Sequence, residues 1–374
     1  MSQHELARSG LPALRLDHLQ RMTDTTGMLQ HAFYTSPDPL HGYTTDDNAR
    51  ALIVALQYSL ATGSEESHDL VWRYLSFLRY AQRPDGLFHN FMAYDRTWMD
   101  EVGSDDCQGR AVWALGYALA TSPQSGMSRS AELLLECALP GLDRVRSPRG
   151  QALCLLGLSW ACQVGYQEGR VRDLMARFAD NLVRLWEVTA EPDWLWFENI
   201  LAYDNPKLCE GLLNAYVSLG ENRYFEIALE SLAFLLGVYF EGDMLDVIGQ
   251  DGWYPRGGPR AVFDQQPIEA QAMVQACVSA HQVTGDDIYL EHGFNAFSWF
   301  LGANRLGRPL YDPTSGGCFD GLHPDRVNGN QGAESTLAYL LSRLAFEVPL
   351  VPRACRWQPT TEGVPVPRGS SVFL

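Results

Sequence analysis

Six segments of the chain share one pattern of positions: an acidic or amide start, a run of small residues and Leu, and a short break. Five of them begin at Thr44, Ser104, Tyr203, Phe263 and Asn328, and a sixth with a weaker start begins at Arg149. Apolar and small residues occupy nearly every face of these segments, which is typical of helices buried on more than one side. We therefore expect six inner helices.

Between these segments lie stretches with a stronger amphipathic stripe, in which apolar residues recur at helical spacing. They cover residues 68–82, 128–139, 169–186, 223–240 and 286–301, and a shorter helix is expected near residues 11–22. This alternation predicts that each inner helix pairs with an outer one. The sequence thus predicts an all-α fold: a single (α/α)6 toroid domain of six helical hairpins over residues 1–348, followed by a Pro-rich tail over residues 349–374.

The lengths of the connections distinguish the two faces of this ring. Connections from an inner to an outer helix are short, whereas those from an outer to an inner helix are long and cover residues 23–45, 83–104, 187–203, 241–263 and 302–330. Long loops in a compact domain usually carry function, so the face with the starts of the inner helices should carry the site. Strands are expected only as short hairpins in these loops, near residues 86–93 and 252–262.

The composition is that of a globular protein, with 46% hydrophobic and 20% charged residues. The formal net charge is −17 and the chain has no run of Lys and Arg, so neither nucleic acid nor an anionic membrane surface is an expected partner. No segment reaches about 18 uninterrupted apolar residues, and the start of the chain lacks the apolar core of a secretory signal. We expect a cytoplasmic protein.

The eight cysteines include no C-x-x-C pair and no Cys/His spacing typical of a zinc site. Most fall within apolar helical runs, which favours buried thiols in a reducing compartment. The Gly-rich stretches do not lie between a strand and a helix, as a phosphate-binding loop requires. The sequence therefore predicts no metal and no cofactor, and it leaves the oligomeric state open.

Aromatic residues are frequent in the long loops, where they alternate with Asp, Glu, Asn and Arg. Aromatic rings pack against the C–H faces of sugars, while carboxylates, amides and Arg bind hydroxyl groups. We expect a carbohydrate in the cleft, with Trp98, Trp196 and Trp253 as stacking platforms. The polar residues expected to line the cleft are Glu198, Asp204, Asp264, Gln265, Gln266, Asn330 and Gln331.

Two inner helices begin with adjacent acids, Asp46-Asp47 and Asp105-Asp106. One acid at a helix start is explained by capping and by the helix dipole, but a second adjacent carboxylate adds repulsion that a cap does not need. Glycosidic cleavage commonly uses two carboxyl groups, one protonated and one ionised. Because crowding in a partly desolvated cleft separates the pKa values of such groups, these four aspartates are the candidate catalytic residues.

The pattern over about residues 12–346 resembles the six-hairpin, (α/α)6-toroid glycosidase superfamily. The segment SDDCQGRAVWALGYAL from Ser104 is similar to the Asp-Asp and Trp-Ala-Leu-Ala segment of family-76 α-mannanases, and VNGNQGAESTLAYL from Val327 is similar to their Tyr-Asn-Gln-Gly segment. The resemblance implies that Asp105 and Asp106 are the nucleophile and the acid/base pair. Arg110 stands where those enzymes tend toward an aromatic residue, and we expect it to bind substrate.

The sequence favours a glycoside hydrolase that uses paired carboxylates, and it leaves two alternatives open. A sugar epimerase or isomerase of the same architecture would depend on histidines, and four lie in the long loops: His31, His41, His89 and His323. A non-catalytic glycan-binding partner of a glycosyltransferase would bind sugar without turnover.

Overall fold

The computed structural model describes residues 10–353, which contain twelve α-helices and seven strands. In chain order the helices are α1 (Asp17–Arg21), α2 (Thr45–Thr62), α3 (His68–Ala81), α4 (Asp105–Thr121), α5 (Ser125–Ala138), α6 (Pro148–Gln163), α7 (Glu168–Thr189), α8 (Pro206–Leu219), α9 (Asn222–Tyr239), α10 (Pro267–Thr284), α11 (Asp287–Ser298) and α12 (Ala333–Leu344). The strands are β1 (Leu29–Phe33), β2 (Ser36–Thr44), β3 (Phe91–Met92), β4 (Ile200–Leu201), β5 (Phe240–Glu241), β6 (Met244–Leu245) and β7 (Tyr254–Pro255).

The even-numbered helices form an inner ring and the odd-numbered helices surround it. Each inner helix packs against the next inner helix along the chain, and α12 packs against α2, which closes the ring. The outer helices α3, α5, α7, α9 and α11 each pack against the inner helix that precedes them, and α1 packs against α12. One continuous apolar core joins the two rings. The predicted (α/α)6 toroid is therefore confirmed.

Local sequence explains where the inner helices begin and end. Three of them start at a hydroxyl residue whose side chain accepts a backbone N–H of the first turn: Thr44, Ser104 and Ser147. Three end at a glycine in the left-handed conformation, with φ of 67°, 81° and 73°: Gly63, Gly220 and Gly285. Because side chains disfavour this conformation, the Gly-containing breaks mark the points where the chain turns outward.

The inner helices α4 and α6 approach each other closely through glycines. A Cβ atom at Gly116 would collide with the carbonyl oxygen of Gly157, and one at Gly157 would collide with the carbonyl of Val112. Gly109 and Gly150 face each other in the same interface nearer the helix starts. This contact brings the N-terminal ends of α4 and α6 side by side.

The outer-to-inner connections all lie on one face, with the starts of the inner helices. In the first of them, β2 pairs with β1 from Ser36 opposite Phe33 to Tyr43 opposite Leu29, and its end pairs with β3. Strands occur at both places where the sequence predicted short hairpins, but each pairs outside its own loop. Strand β3 joins β2, and β7 joins β4.

The two ends of the predicted chain organisation cannot be compared with the structure. Residues 1–9, and the Pro-rich tail from residue 354 onward, lie outside the described residues. None of the helices between residues 10 and 353 has the length and apolar surface needed to cross a membrane.

Candidate active site

A cleft of about 310 Å3 opens on the loop face, where α12 meets α2. Its walls come from the starts of these two helices, from β1, and from the loops that lead into α4, α10 and α12. The lining residues are Gln30, His31, Thr44, Asp46, Asp47, Arg50, Asn90, Phe91, Gln266, Asp320, Gly332, Glu334 and Ser335. A larger groove of about 670 Å3 lies outside the ring between α3 and α5, away from these polar side chains.

One nitrogen atom of Arg50 gathers three carboxylates of the cleft. Its Nη2 lies 2.7 Å from Oδ1 of Asp46, 2.9 Å from Oδ1 of Asp47 and 3.3 Å from Oε2 of Glu334. Asp46, Asp47 and Arg50 share one face of α2 because residues three and four positions apart on a helix are neighbours. The guanidinium group is the cation that these acids share, and within residues 10–353 no group of three or more His, Cys, Asp or Glu could hold a metal ion.

Asp47 has the environment of a proton donor. Its side chain is only 5% exposed, and Oδ2 accepts a 2.6 Å hydrogen bond from the hydroxyl of Thr44. Burial raises the pKa of Asp47 to about 7, although the charge of Arg50 acts in the opposite direction. A carboxyl group with this pKa holds a proton near neutral pH and can transfer it.

A second arginine connects the cleft to the opposite side of the ring. Nε of Arg110 forms a 2.9 Å ion pair with Oδ2 of Asp46, and its Nη2 donates to Asp204 at 2.9 Å. The backbone N–H of Asp204 donates in turn to Oε1 of Glu269 at 2.6 Å. Glu269 is fully buried, and burial raises its pKa to about 8. Polar contacts therefore run without interruption from α2 through α4 and the loop before α8 to α10.

The doublet at the start of α4 lies outside the residues that line the cleft, and its first member has a structural partner. Oδ2 of Asp105 accepts the backbone N–H groups of Arg146 and Ser147, both at 2.7 Å, in the loop just before α6. Asp106 accepts from the hydroxyls of Tyr203 at 2.7 Å and Ser147 at 3.1 Å, and burial raises its pKa. Asp105 therefore has a structural role, because it holds the loop that leads into the neighbouring helix.

Five of the residues expected to bind substrate are buried instead: Arg110, Asp204, Gln265, Gln331 and Trp196. Gln265 is enclosed and donates to Asp246 at 2.8 Å, and Gln331 donates to Asp312 at 3.0 Å. Trp196 has 0% exposure, so protein atoms cover both faces of its ring. The expected stacking role of Trp196 and the expected sugar contacts of both glutamines conflict with this placement, because these side chains fill the interior of the loop face.

Other predicted residues lie at the rim. Glu198 forms a 2.7 Å ion pair with Arg149. Asp264 binds Nδ1 of His323 at 2.7 Å, and Gln266, two residues further along, lines the cleft itself. Gln266 therefore faces the cleft, while Gln265 beside it points into the interior.

The remaining predicted residues belong to the loops around the mouth. Trp98 stacks on His89 with ring centroids 4.9 Å apart, and Oδ1 of Asn330 accepts the backbone N–H of Tyr34 at 3.0 Å. Trp253 is half-buried, and its ring centroid lies 6.1 Å from that of Tyr203. Of the eleven predicted substrate-binding residues, Gln266 alone lines the described cleft.

Sequence reasoning missed Arg50 and gave no catalytic role to Glu334. A signal for Arg50 does exist, because both doublets are followed by an arginine four residues after one of their acids: Asp46 to Arg50, and Asp106 to Arg110. This spacing predicts an ion pair on one helix face. No such signal places Glu334 in the cleft, since its contact with Arg50 depends on closure of the ring.

No protein-family model matches this chain, and no curated protein sequence is significantly similar to it. Solved structures are similar over nearly the whole length. A cellobiose 2-epimerase from Bacillus thermoamylovorans B4167 has a TM-score of 0.71 at 10% identity, covering 92% of this chain and 98% of that one. A sugar epimerase from a ruminal bacterium has a TM-score of 0.70 at 14% identity, covering 92% and 97%.

A third similar structure is an α-1,6-mannanase of family 76 from Salegentibacter sp. HEL1_6 in complex with α-1,6-mannotetrose. Its TM-score is 0.60 at 11% identity, covering 92% of this chain and 97% of that one. That structure is of an inactive variant in which two consecutive aspartates are replaced by alanine. The similarity shows that this chain shares the fold of these enzymes, as the sequence resemblance predicted.

Proposed function

We propose that this protein is a carbohydrate-processing enzyme that hydrolyses a glycosidic bond in the cleft between α12 and α2. The observation that carries the proposal is the convergence of Asp46, Asp47 and Glu334 on Nη2 of Arg50. Glycosidic cleavage needs an acid and a carboxylate in one site, and this cleft holds both kinds of environment. The similar epimerase and mannanase structures support a sugar as the substrate class.

The three carboxyl groups have different surroundings and therefore different roles. Asp47, whose pKa is raised to about 7, protonates the leaving oxygen. Glu334 is 47% exposed and reaches into the open cleft, so it acts as the nucleophile or as the base that activates water. Asp46 lies between Arg50 and Arg110, which fixes it as a carboxylate that binds a sugar hydroxyl. Asp106 remains the alternative acid.

A sugar epimerase is the second candidate, because a histidine lines the same cleft. Burial lowers the pKa of His31, so its imidazole is neutral at pH 7 and can accept a proton from a sugar carbon. The TM-scores of the two epimerase structures, 0.70 and 0.71, exceed the 0.60 of the mannanase, which also favours this candidate.

One assay panel separates the two reactions. Wild type, Asp47→Asn, Glu334→Gln and His31→Gln are incubated with cellobiose and with α-1,6-mannobiose, and the products are identified by chromatography and NMR. Hydrolysis predicts release of monosaccharide, a loss of more than about 100-fold on either carboxyl change, and activity that falls above about pH 7 as Asp47 loses its proton. The exposed acid Glu136 on α5, changed to Gln, is the matched control.

Three results would contradict hydrolysis. Turnover that survives both carboxyl changes overturns the mechanism. If the product is an epimer that is still a disaccharide, and if His31→Gln no longer forms it, the result supports the epimerase instead. Sugar binding without any turnover indicates a glycan-binding protein.

A further inference from the structure

We propose that Tyr203 and Trp253 form a second sugar-binding subsite, so that the substrate is an oligosaccharide with at least two rings. This inference rests on the proposed function, since it assigns a neighbouring ring of the same substrate. The rings of Tyr203 and Trp253, called the platform below, lie at the rim opposite the α12–α2 cleft, next to the starts of α4, α6 and α8. The platform takes an uncharged sugar ring through stacking and hydroxyl contacts.

The ring of Tyr203 is held at its edge and on one face. Its hydroxyl donates to Asp106 at 2.7 Å, and the guanidinium group of Arg149 lies 4.8 Å from the ring centroid. Arg149 is fixed by a 2.7 Å ion pair with Glu198 and a 2.8 Å hydrogen bond to Asn205. Tyr203 is nevertheless 38% exposed. A tyrosine that only fastened its loop would be buried, whereas the Tyr203 ring is held in place and still has a solvent-exposed surface.

Trp253 extends this surface. Its ring centroid lies 6.1 Å from that of Tyr203, with the planes inclined at 46°. The backbone of Trp253 is left-handed (φ 57°), as is that of Asp204 beside Tyr203 (φ 52°). Non-glycine residues in this conformation cost free energy and concentrate at functional sites, where the surrounding structure holds them in place. Trp253 itself has this unfavourable backbone conformation, and Tyr203 is next in the chain to Asp204, which has it too.

A short line of charged groups connects this platform to the catalytic cleft. Asp204, which follows Tyr203 in the chain, binds Nη2 of Arg110, and Nε of Arg110 contacts Asp46. The guanidinium group of Arg110 therefore lies between Asp204, next to Tyr203 in the chain, and Asp46, the carboxylate proposed to bind a sugar hydroxyl. In this arrangement one ring of the glycan lies at Asp46 and the next lies against Tyr203.

The polar groups around the platform match sugar hydroxyls. Aromatic faces pack against the C–H faces of sugar rings, and the carboxylates of Asp106 and Glu198, with Arg149, flank the Tyr203 ring and can exchange hydrogen bonds with hydroxyl groups. Tyr203 lies at the end of a long loop, and the hydrogen bond from its hydroxyl to Asp106 gives its ring a fixed place in the site.

Calorimetry tests the subsite through binding, without depending on turnover. Cellobiose is compared with glucose, and α-1,6-mannobiose with mannose, on wild type, Tyr203→Ala, Tyr203→Phe and Trp253→Ala. Tyr203→Ala should bind the preferred disaccharide about tenfold more weakly, equivalent to about 1.4 kcal/mol, and should bind the monosaccharide as wild type does. Tyr203→Phe keeps the ring and should retain disaccharide affinity. The control is Phe33→Ala, which removes a 69% exposed ring of the β1–β2 turn.

Equal disaccharide affinity in wild type and Tyr203→Ala overturns the subsite while leaving the proposed function intact. An equal loss of monosaccharide and disaccharide binding also overturns it, because a separate subsite would affect only the second ring. If Tyr203→Ala fails to fold by circular dichroism, Trp253→Ala must show the same selective loss, or the proposal is wrong. A wild-type protein that binds none of the four sugars contradicts the proposed function and this subsite together.

Discussion

Arg110 and Asp46 form an ion pair with Nε and Oδ2 2.9 Å apart, and it joins the first turn of α2 to the second turn of α4. The side chain of Arg110 is only 3% exposed, and its other partner, Asp204, is 1% exposed. Charges this deeply buried are stable only while they are paired. The pairing therefore holds two inner helices and the loop before α8 in one arrangement.

Replacing Arg110 by Met should lower the free energy of unfolding by about 3 to 5 kcal/mol, because Asp204 would stay buried without its cation and Asp46 would keep only Arg50. Urea denaturation measures this change. The matched control is Arg129→Met, which breaks an ion pair on α5 whose arginine is 60% exposed, and which should cost less than about 1 kcal/mol. If the free energy of unfolding falls equally in the two variants, the buried ion pairs contribute no more to stability than an exposed one.

Asp105→Ala should destabilise the protein by about 1 kcal/mol, since it removes the acceptor for two backbone N–H groups just before α6. Thermal unfolding measures the change. Asp143→Ala, which loses a 65% exposed carboxylate, is the control and should stay within about 0.5 kcal/mol of wild type. Activity lost in Asp105→Ala beyond its loss of stability would restore the catalytic role that the sequence resemblance implies.

Glu269 makes the stability of the fold depend on pH in a defined direction. Its pKa is raised from 4.5 to about 8 in the folded protein, so the folded state binds more protons than the unfolded state between these values. Its contribution to stability is therefore complete below about pH 4.5 and is lost as the pH rises through about 8. Glu269→Gln should remove this dependence, at most about 1.4 kcal/mol per pH unit. Urea denaturation of both proteins at pH 5, 6, 7 and 8 measures it, and a constant difference across these pH values would contradict it.

Gly116→Ala should destabilise the protein by about 2 kcal/mol or more, because the added Cβ meets the backbone of α6 and forces the two helices apart. Gly237→Ala on α9 is the matched change. No atom lies within 4 Å of a Cβ at this position, so it should stabilise the helix by about 0.5 to 1 kcal/mol. Chemical denaturation measures the free energy of unfolding of both variants. If both substitutions stabilise the protein, or both destabilise it, the prediction is wrong.

The helical frame was predictable because its signals are local. Acidic and hydroxyl starts, small residues on every face and glycine ends are visible in each segment alone, and the closed ring follows from repeating them. Strand β2 was not predicted, because Pro37, Pro39 and Gly42 indicate a turn. Both prolines lie in the part of β2 that pairs only with β1, where one edge of the strand has no partner and a missing N–H is tolerated.

The site was only partly predictable because its contacts join distant parts of the chain. The sequence singled out both aspartate doublets, and the resemblance favoured Asp105 and Asp106 over the pair that lines the cleft. Asp105 is occupied by amides 41 and 42 residues away, whereas Asp46 and Asp47 meet Glu334 through Arg50, 284 residues apart in the chain. Burial of Gln265, Gln331 and Trp196 could not be predicted either, since the sequence of a loop does not show which side chains face the interior.

Closure of the ring between α12 and α2 also has a consequence for folding. The cleft lies at this joint, so it exists only after the first and last inner helices have found each other across most of the chain. Contacts of such high sequence separation form late and at high entropic cost. The catalytic cleft would then be assembled in the final step of folding, and a partly folded chain with five hairpins in place would carry Asp46 and Asp47 but no site. Activity in this architecture would report directly on completion of the ring.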